Sequence, residues 1–211
     1  MTKIVSTTMN EEKQKILDES TKVFMREGFY KTPMDEIARQ LKISKKTIYK
    51  YFDSKEILVK EVVHNFLLCN KSIIQDILDS DDNAVTKAFN LFQHLGKLLL
   101  SISNRWLEDI QGHYQGLWKQ IDEFRTKMML ANITRLINQG KEEGFILDYP
   151  TDIIVMIFVS SLRGIINPDF IIQRKLERES IMKPTISLLM NAILTDSGKE
   201  LFNKLQPGVD K

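Results

Sequence analysis

Apolar residues recur at spacings of three and four along nearly the whole chain, and this periodicity confines most of it to helices. The two-residue alternation of half-buried strands is hard to find, and no Asn-Gly or Asp-Gly pair supplies a hairpin turn. An all-α protein is expected. Its 211 residues allow one large domain or two small ones. The single cysteine, Cys69, excludes an internal disulfide and reads as inert packing. No window holds the roughly 18 uninterrupted apolar residues of a membrane span. No apolar run follows the first charges, as a signal peptide would require. These features point to a cytoplasmic globular chain without a membrane partner.

Helix ends are marked by the residues that satisfy them. The first helix reads from Asn10 to Glu27, with Ile16, Leu17, Ser20, Val23 and Phe24 inward and Gly28 as its terminator. In Thr32-Pro33-Met34-Asp35, Thr32 can cap the next helix, Pro33 suits its first turn, and Asp35 sits where a capping-box acid would. That helix spans Pro33 to Leu41. Ser44 caps a third short helix, Lys45 to Tyr51. Asp53 or Ser54 caps a long fourth, Lys55 to Leu78, with Ile57, Leu58, Val62, Phe66, Ile73, Ile74 and Ile77 as candidate core residues. Further helices are expected over 83–101, 105–112, 117–142, 151–166 and 177–195, with Asn167-Pro168 as a break and Pro184 as a kink or a first turn. Residues 197–211 lack periodicity and read as a flexible tail.

Charge is unevenly placed. The whole chain carries a net +2, but residues 1–60 hold 13 basic and 9 acidic groups. Between Lys31 and Lys55 the ratio is seven to three. A local anionic partner would suit this segment. The second and third helices with their short turn form a candidate helix-turn-helix, whose second helix must be short, exposed and basic to enter a major groove. Lys45, Lys46, Thr47, Tyr49 and Lys50 meet that demand, while Ile48 and Phe52, four apart, can anchor the helix. Lysines attract phosphate, Thr47 can meet a thymine methyl or a phosphate, and Tyr49 can donate its hydroxyl to a phosphate.

The stretch from Ile16 to Val63 resembles the tetracycline-repressor (TetR) family of bacterial transcription regulators. Its most diagnostic part is Thr47-Ile48-Tyr49-Lys50-Tyr51-Phe52, followed by Ser54-Lys55-Glu56 and Leu58. The resemblance implies Thr32 as a phosphate-contacting cap. It implies that Lys46, Thr47 and Lys50 face bases or nearby phosphates, that Tyr49 and Tyr51 contact the backbone, and that Lys55 binds a phosphate. It also implies a homodimer on a palindromic double-stranded operator. The chain would then divide into a helix-turn-helix DNA-binding domain at 1–55, a larger helical ligand-binding and dimerisation domain at 56–196, and the tail.

Beyond the fourth helix the resemblance is weaker, and the family's ligand domain diverges with each inducer. Trp106, Ile110, His113, Tyr114, Trp118, Phe124, Met128 and Phe158 are candidates to line a pocket for an unknown small-molecule inducer, or to fill ordinary core. The helices over 151–166 and 177–195 resemble the family's final pair, which forms a four-helix dimer interface. The first of them is apolar around most of its circumference, so a partner subunit is its simplest cover. Ile154, Ile157, Ser161, Ile165, Leu189 and Ile193 are its candidate interface residues. The sequence holds no nucleotide loop, zinc signature or nucleophile elbow, so no enzyme, cofactor or metal is expected. The reading is a ligand-released repressor, and the alternative is a protein-interaction adaptor that binds no specific operator.

Overall fold

The computed structural model describes the backbone of residues 2–166 and 178–206, and the side chains of 11–165 and 181–206. Among these, regular structure is helical: α1 (Thr2–Glu27), α2 (Met34–Leu41), α3 (Lys45–Tyr49), α4 (Lys55–Asp79), α5 (Ala84–Ser101), α6 (Asn104–His113), α7 (Gln115–Glu142), α8 (Thr151–Ile166), α9 (Arg178–Ile193) and α10 (Asp196–Leu205). One isolated antiparallel bridge pairs Ile146 with Leu194. The chain divides into two compact units, Met1–Ser72 with Ser101–Lys119, and Ile73–Leu100 with Gln120–Lys211. The expected boundary at residue 55 falls inside the first of these.

In the first unit the stripe on α1 is buried as its spacing requires, and Ile37, Ile48, Phe52, Leu58 and Val59 meet it with essentially no exposed surface. Burying each such side chain contributes about 1.5–3 kcal/mol. Gly28 ends α1 with φ +78, its N–H bonded to Phe24 O at 2.8 Å. A Cβ there would also lie 2.5 Å from Asp109 Oδ2, so both conformation and space demand glycine. Lys42 closes α2 in the left-handed region at φ 56. Ser44 caps α3, accepting from Thr47 N at 3.0 Å, and Ser54 caps α4, accepting from Ile57 N at 3.2 Å.

Several expectations are corrected. Thr32 does not cap α2. Pro33 holds that position without a side-chain bond, and the Thr32 hydroxyl donates to Gly28 O at 2.8 Å. Asp35 turns away from the cap and pairs with Lys45. Ile57 and Ile73 are exposed on α4, Ile57 because it lies off the face that Leu58 and Val62 bury. Cys69 is exposed rather than packed.

The second unit is built on a continuous apolar cluster from α5, α7, α8 and α9, including Leu91, Phe92, Ile137, Phe158, Leu162 and Met190. The expected tail is largely a helix. Thr195 caps α10, accepting from Gly198 N at 3.2 Å, and Phe202 sinks into the core at 2% exposure. Gly198 permits this docking, since a Cβ would meet Phe145 O at 2.4 Å. Leu201, Phe202 and Leu205 make too short a stripe for periodicity to reveal. Pro184 lies inside α9 rather than in its first turn. The expected break at Asn167-Pro168 and the Pro207-Gly208 pair lie outside the described residues.

Candidate DNA-binding surface

Helix α3 is a short platform. Ile48 is fully buried beneath it, and Phe52 is fully buried just past its end. With that side committed to the core, Lys46, Tyr49 and Lys50 are left in solvent and Thr47 half-exposed. Tyr49 keeps 44% of its surface open despite being a large ring. The Ser44 and Thr47 hydroxyls bond each other at 2.8 Å, which fixes the first turn. Lys50 Nζ lies 5.0 Å from the centre of the Tyr51 ring, so its charge sits over an aromatic face. Tyr51 donates its hydroxyl to Glu12, which holds its pKa above the ordinary phenol range. Lys45 donates to Asp35 at 2.8 Å, and that bond raises its pKa.

Lys55 is half-buried in the first turn of α4 and donates to Tyr30 O at 2.7 Å. Partial burial lowers its pKa, opposed by the carboxylates of Asp109 and Glu56. Thr32 is buried, with its hydroxyl committed to Gly28 O. The proton of that hydroxyl is therefore engaged within the chain.

Residues 16–62, which hold α2, α3 and the start of α4, match the family model for bacterial regulatory proteins of the tetR family. That segment belongs to the TetR family. The chain is 25% identical over 184 residues to YvaF of Bacillus subtilis, named an HTH-type transcriptional regulator, covering 87% of this chain and 96% of that one. It is 27% identical over 148 residues to IcaR of Staphylococcus aureus, a negative transcriptional regulator of a biofilm operon, covering 59% and 77%. A transcriptional regulator from Saccharomonospora viridis, solved in complex with choline, shares the fold with a TM-score of 0.68 at 16% identity, over 88% and 99% of the two chains. This protein is thus a transcriptional regulator of the TetR type.

Sequence reasoning missed the brace that positions the TetR-type reading head. Asp109 on α6 accepts from Phe29 N at 2.7 Å and Tyr30 N at 2.8 Å, so one carboxylate oxygen ties down the turn between α1 and α2. Phe29 is packed edge-on by Phe24, Trp106 and Tyr114, and Tyr30 stacks on His113 with centroids 3.4 Å apart. Ser103 N, ahead of α6, donates to Met25 O at 2.8 Å. No local signal marks Asp109, whose partners lie some 80 residues upstream.

These contacts also redistribute the candidate inducer residues. Trp106, Ile110, His113, Tyr114 and Trp118 belong to the first unit, while Phe124, Met128 and Phe158 belong to the second. Trp106 and Ile110 are core, and Tyr114 and His113 hold the α1–α2 turn. Phe158 is core of the second unit, beside a void of only about 20 Å³. The larger described cavity, about 390 Å³, is lined by none of the eight.

The candidate interface residues divide similarly. Ile154 and Ile193 are buried in their own unit's core, and Ser161, Ile165 and Leu189 are half-buried. Ile157 stands out, 52% exposed, and beside it Ile153 and Met156 are exposed by 49% and 59%. On α9, Leu188 is 74% exposed. Ile153, Met156 and Leu188 are exposed apolar residues outside that candidate set. The spacing of Ile153, Met156 and Ile157, three and four apart, was the available signal.

Proposed function

We propose that the protein is a homodimeric repressor that binds a palindromic operator and is released by a small molecule held in its second unit. Helix α3 enters the major groove. Lys46 and Lys50 supply charge to phosphates or base edges, Thr47 meets a base or phosphate, and Tyr49 donates to the backbone. Tyr51 and Lys45 stand behind them with their polar ends held by Glu12 and Asp35. Lys55 holds the carbonyl of Tyr30 and lends its charge to the same surface.

The second copy docks on the exposed apolar face of α8 and α9, where Ile153, Met156, Ile157 and Leu188 would otherwise remain in water. A two-fold dimer places two α3 helices on successive half-sites. The negative regulation carried out by IcaR supports repression as the outcome, and the choline complex of the S. viridis regulator supports a small-molecule effector. Release runs through α4, which continues out of the α3 module, and through α6, whose Asp109 holds the α1–α2 turn. A ligand that favours one placement of these helices shifts the population between DNA-competent and DNA-incompetent dimers.

The observation that carries this reading is the outward set Lys46, Thr47, Tyr49 and Lys50 around buried Ile48. Selection of sites from random duplexes at physiological salt tests it, because nonspecific phosphate attraction is weak there. A single palindrome should be enriched, and a Lys46→Ala/Tyr49→Phe variant should lose it. Failure to enrich any sequence would favour the adaptor reading.

A further inference from the structure

Helices α5, α9 and α10 of the second unit leave a cavity of about 390 Å³ between them. That volume falls within the roughly 300–1,000 Å³ of small-molecule sites. One wall is aromatic: Phe89 and Phe202 meet edge to face with centroids 6.4 Å apart, and Phe92 adds a third ring. Met182 and Ile186 of α9 complete the apolar lining.

The polar lining has one sign of charge. Lys97 of α5 and Lys183 of α9 both border the cavity, with the neutral groups of Gln93, Ser187 and Gln206, and among the described residues no aspartate or glutamate lines it. Both lysines are exposed, and among the described residues neither is in an ion pair. Burial, with a smaller contribution from the charge of Lys97, holds the nearby His94 imidazole below its ordinary range.

Gly96 is the third clue. It lies inside α5 and lines the cavity, and a Cβ built on it would meet nothing within 4 Å. Glycine inside a helix costs about 1 kcal/mol relative to alanine. Neither a positive φ nor a crowded neighbour requires it here. Its effect is to leave the cavity open.

We propose that this cavity binds an amphipathic organic anion, with its apolar body against the three phenylalanine rings and its anionic head between Lys97 and Lys183. Charge complementarity selects this occupant. A neutral ligand would gain nothing from the two exposed ammonium groups, and a quaternary ammonium such as choline would meet two like charges. The proposal names the effector class for the ligand-released reading above. It therefore rests on that reading for its consequence on DNA, but not for binding itself.

Calorimetric titration of the full-length protein without DNA tests it, with decanoate and 2-naphthoate as anionic probes. Decanol, 2-naphthalenemethanol and choline are the uncharged and cationic counterparts. Saturable binding of the anions is expected, at least tenfold tighter than that of the counterparts. Lys97→Met/Lys183→Met should erase this preference while leaving the apolar body its contacts. Gly96→Leu should intrude on the cavity and weaken binding of both anions at least tenfold, with the melting temperature maintained or raised, which separates obstruction from unfolding. Absence of saturable binding, equal or tighter binding of the counterparts, or anion binding that Gly96→Leu fails to weaken would each overturn the proposal. Binding that passes these tests but leaves operator affinity unchanged would support the site and overturn release by this ligand class.

Discussion

On α3, the exposed side chains are lysines, a threonine and a tyrosine hydroxyl, arranged over one buried isoleucine. On α8, the exposed side chains include two isoleucines and a methionine, beside five buried apolar residues of the same helix. The α3 surface keeps the rule that a helix hides its apolar face and wets the other, and the α8 surface breaks it. The two suit different partners. The α3 surface is solvated and gains from an anion, so its affinity should fall steeply with salt. The α8 surface has little to offer an ion and loses most by staying in water, so its association should resist salt.

The sharpest way to break this contrast is to place charge on the apolar side. Met156→Asp/Ile157→Asp should raise the dimer dissociation constant more than a hundredfold, since an unpaired carboxylate in an apolar interface costs about 3 kcal/mol or more. Sedimentation equilibrium would show monomers. The second unit of the monomeric variant should still unfold cooperatively, because both positions are exposed within the chain, at a temperature lowered only by the lost dimer contacts. An intact dimer would move the partner surface elsewhere.

Next in size is the brace. Asp109→Ala leaves Phe29 N and Tyr30 N without their acceptor, and should cost the first unit about 2–3 kcal/mol. Hydrogen exchange should show faster opening of the α1–α2 turn, with no change in the α8 and α9 amides. Operator affinity should fall even though no DNA-facing residue is altered. A silent substitution would mean that the ring contacts on Phe29 and Tyr30 hold the turn alone.

The two surfaces also differ in how far the sequence revealed them. In the first unit most helix ends are set within four residues. Gly28, Ser44 and Ser54 do what their types suggest, and Ile48 and Phe52 are buried as their spacing implies. The reading fails there when a side chain finds a better distant or backward partner. Thr32 turns to Gly28 O instead of capping α2, and Asp109 reaches across the sequence to Phe29. In the second unit, α8 is apolar on most sides, so periodicity could not say which side faces its own core. Ile154 proved to be core and Met156 surface. The cavity beside Lys97 was equally hidden, because its walls join α5 to α9 and α10, which lie scores of residues downstream.

On the α3 side, Lys46→Ala/Tyr49→Phe should weaken operator binding by roughly 2 kcal/mol, about thirtyfold, if each contact is worth about 1. The slope of log affinity against log salt should shrink by about one for the lost lysine. Dimer dissociation, measured alongside, should stay the same. A weakened dimer would show that the two surfaces are not independent.

The smallest expected effect is confined to the charged side and runs with pH. Tyr51 donates to the Glu12 carboxylate, and that bond favours the protonated phenol and raises its pKa. The tie therefore stabilises the folded chain fully below the unfolded phenol's pKa of about 10. It is lost as pH climbs through the raised, folded-state value. Replacing the carboxylate by the weaker, neutral acceptor of Glu12→Gln should move the Tyr51 ionisation back toward the ordinary range, read from the ring-carbon chemical shift in labelled protein. Because the pair is exposed, stability near neutral pH should hardly move. The α8 surface offers a control in Ile153, Met156 and Ile157, which carry no titrating group, so dimer dissociation should be unchanged by Glu12→Gln across the same alkaline range. A Tyr51 ionisation already ordinary in the wild type would mean that Glu12 leaves the phenol in solution and that Lys50 alone orders it.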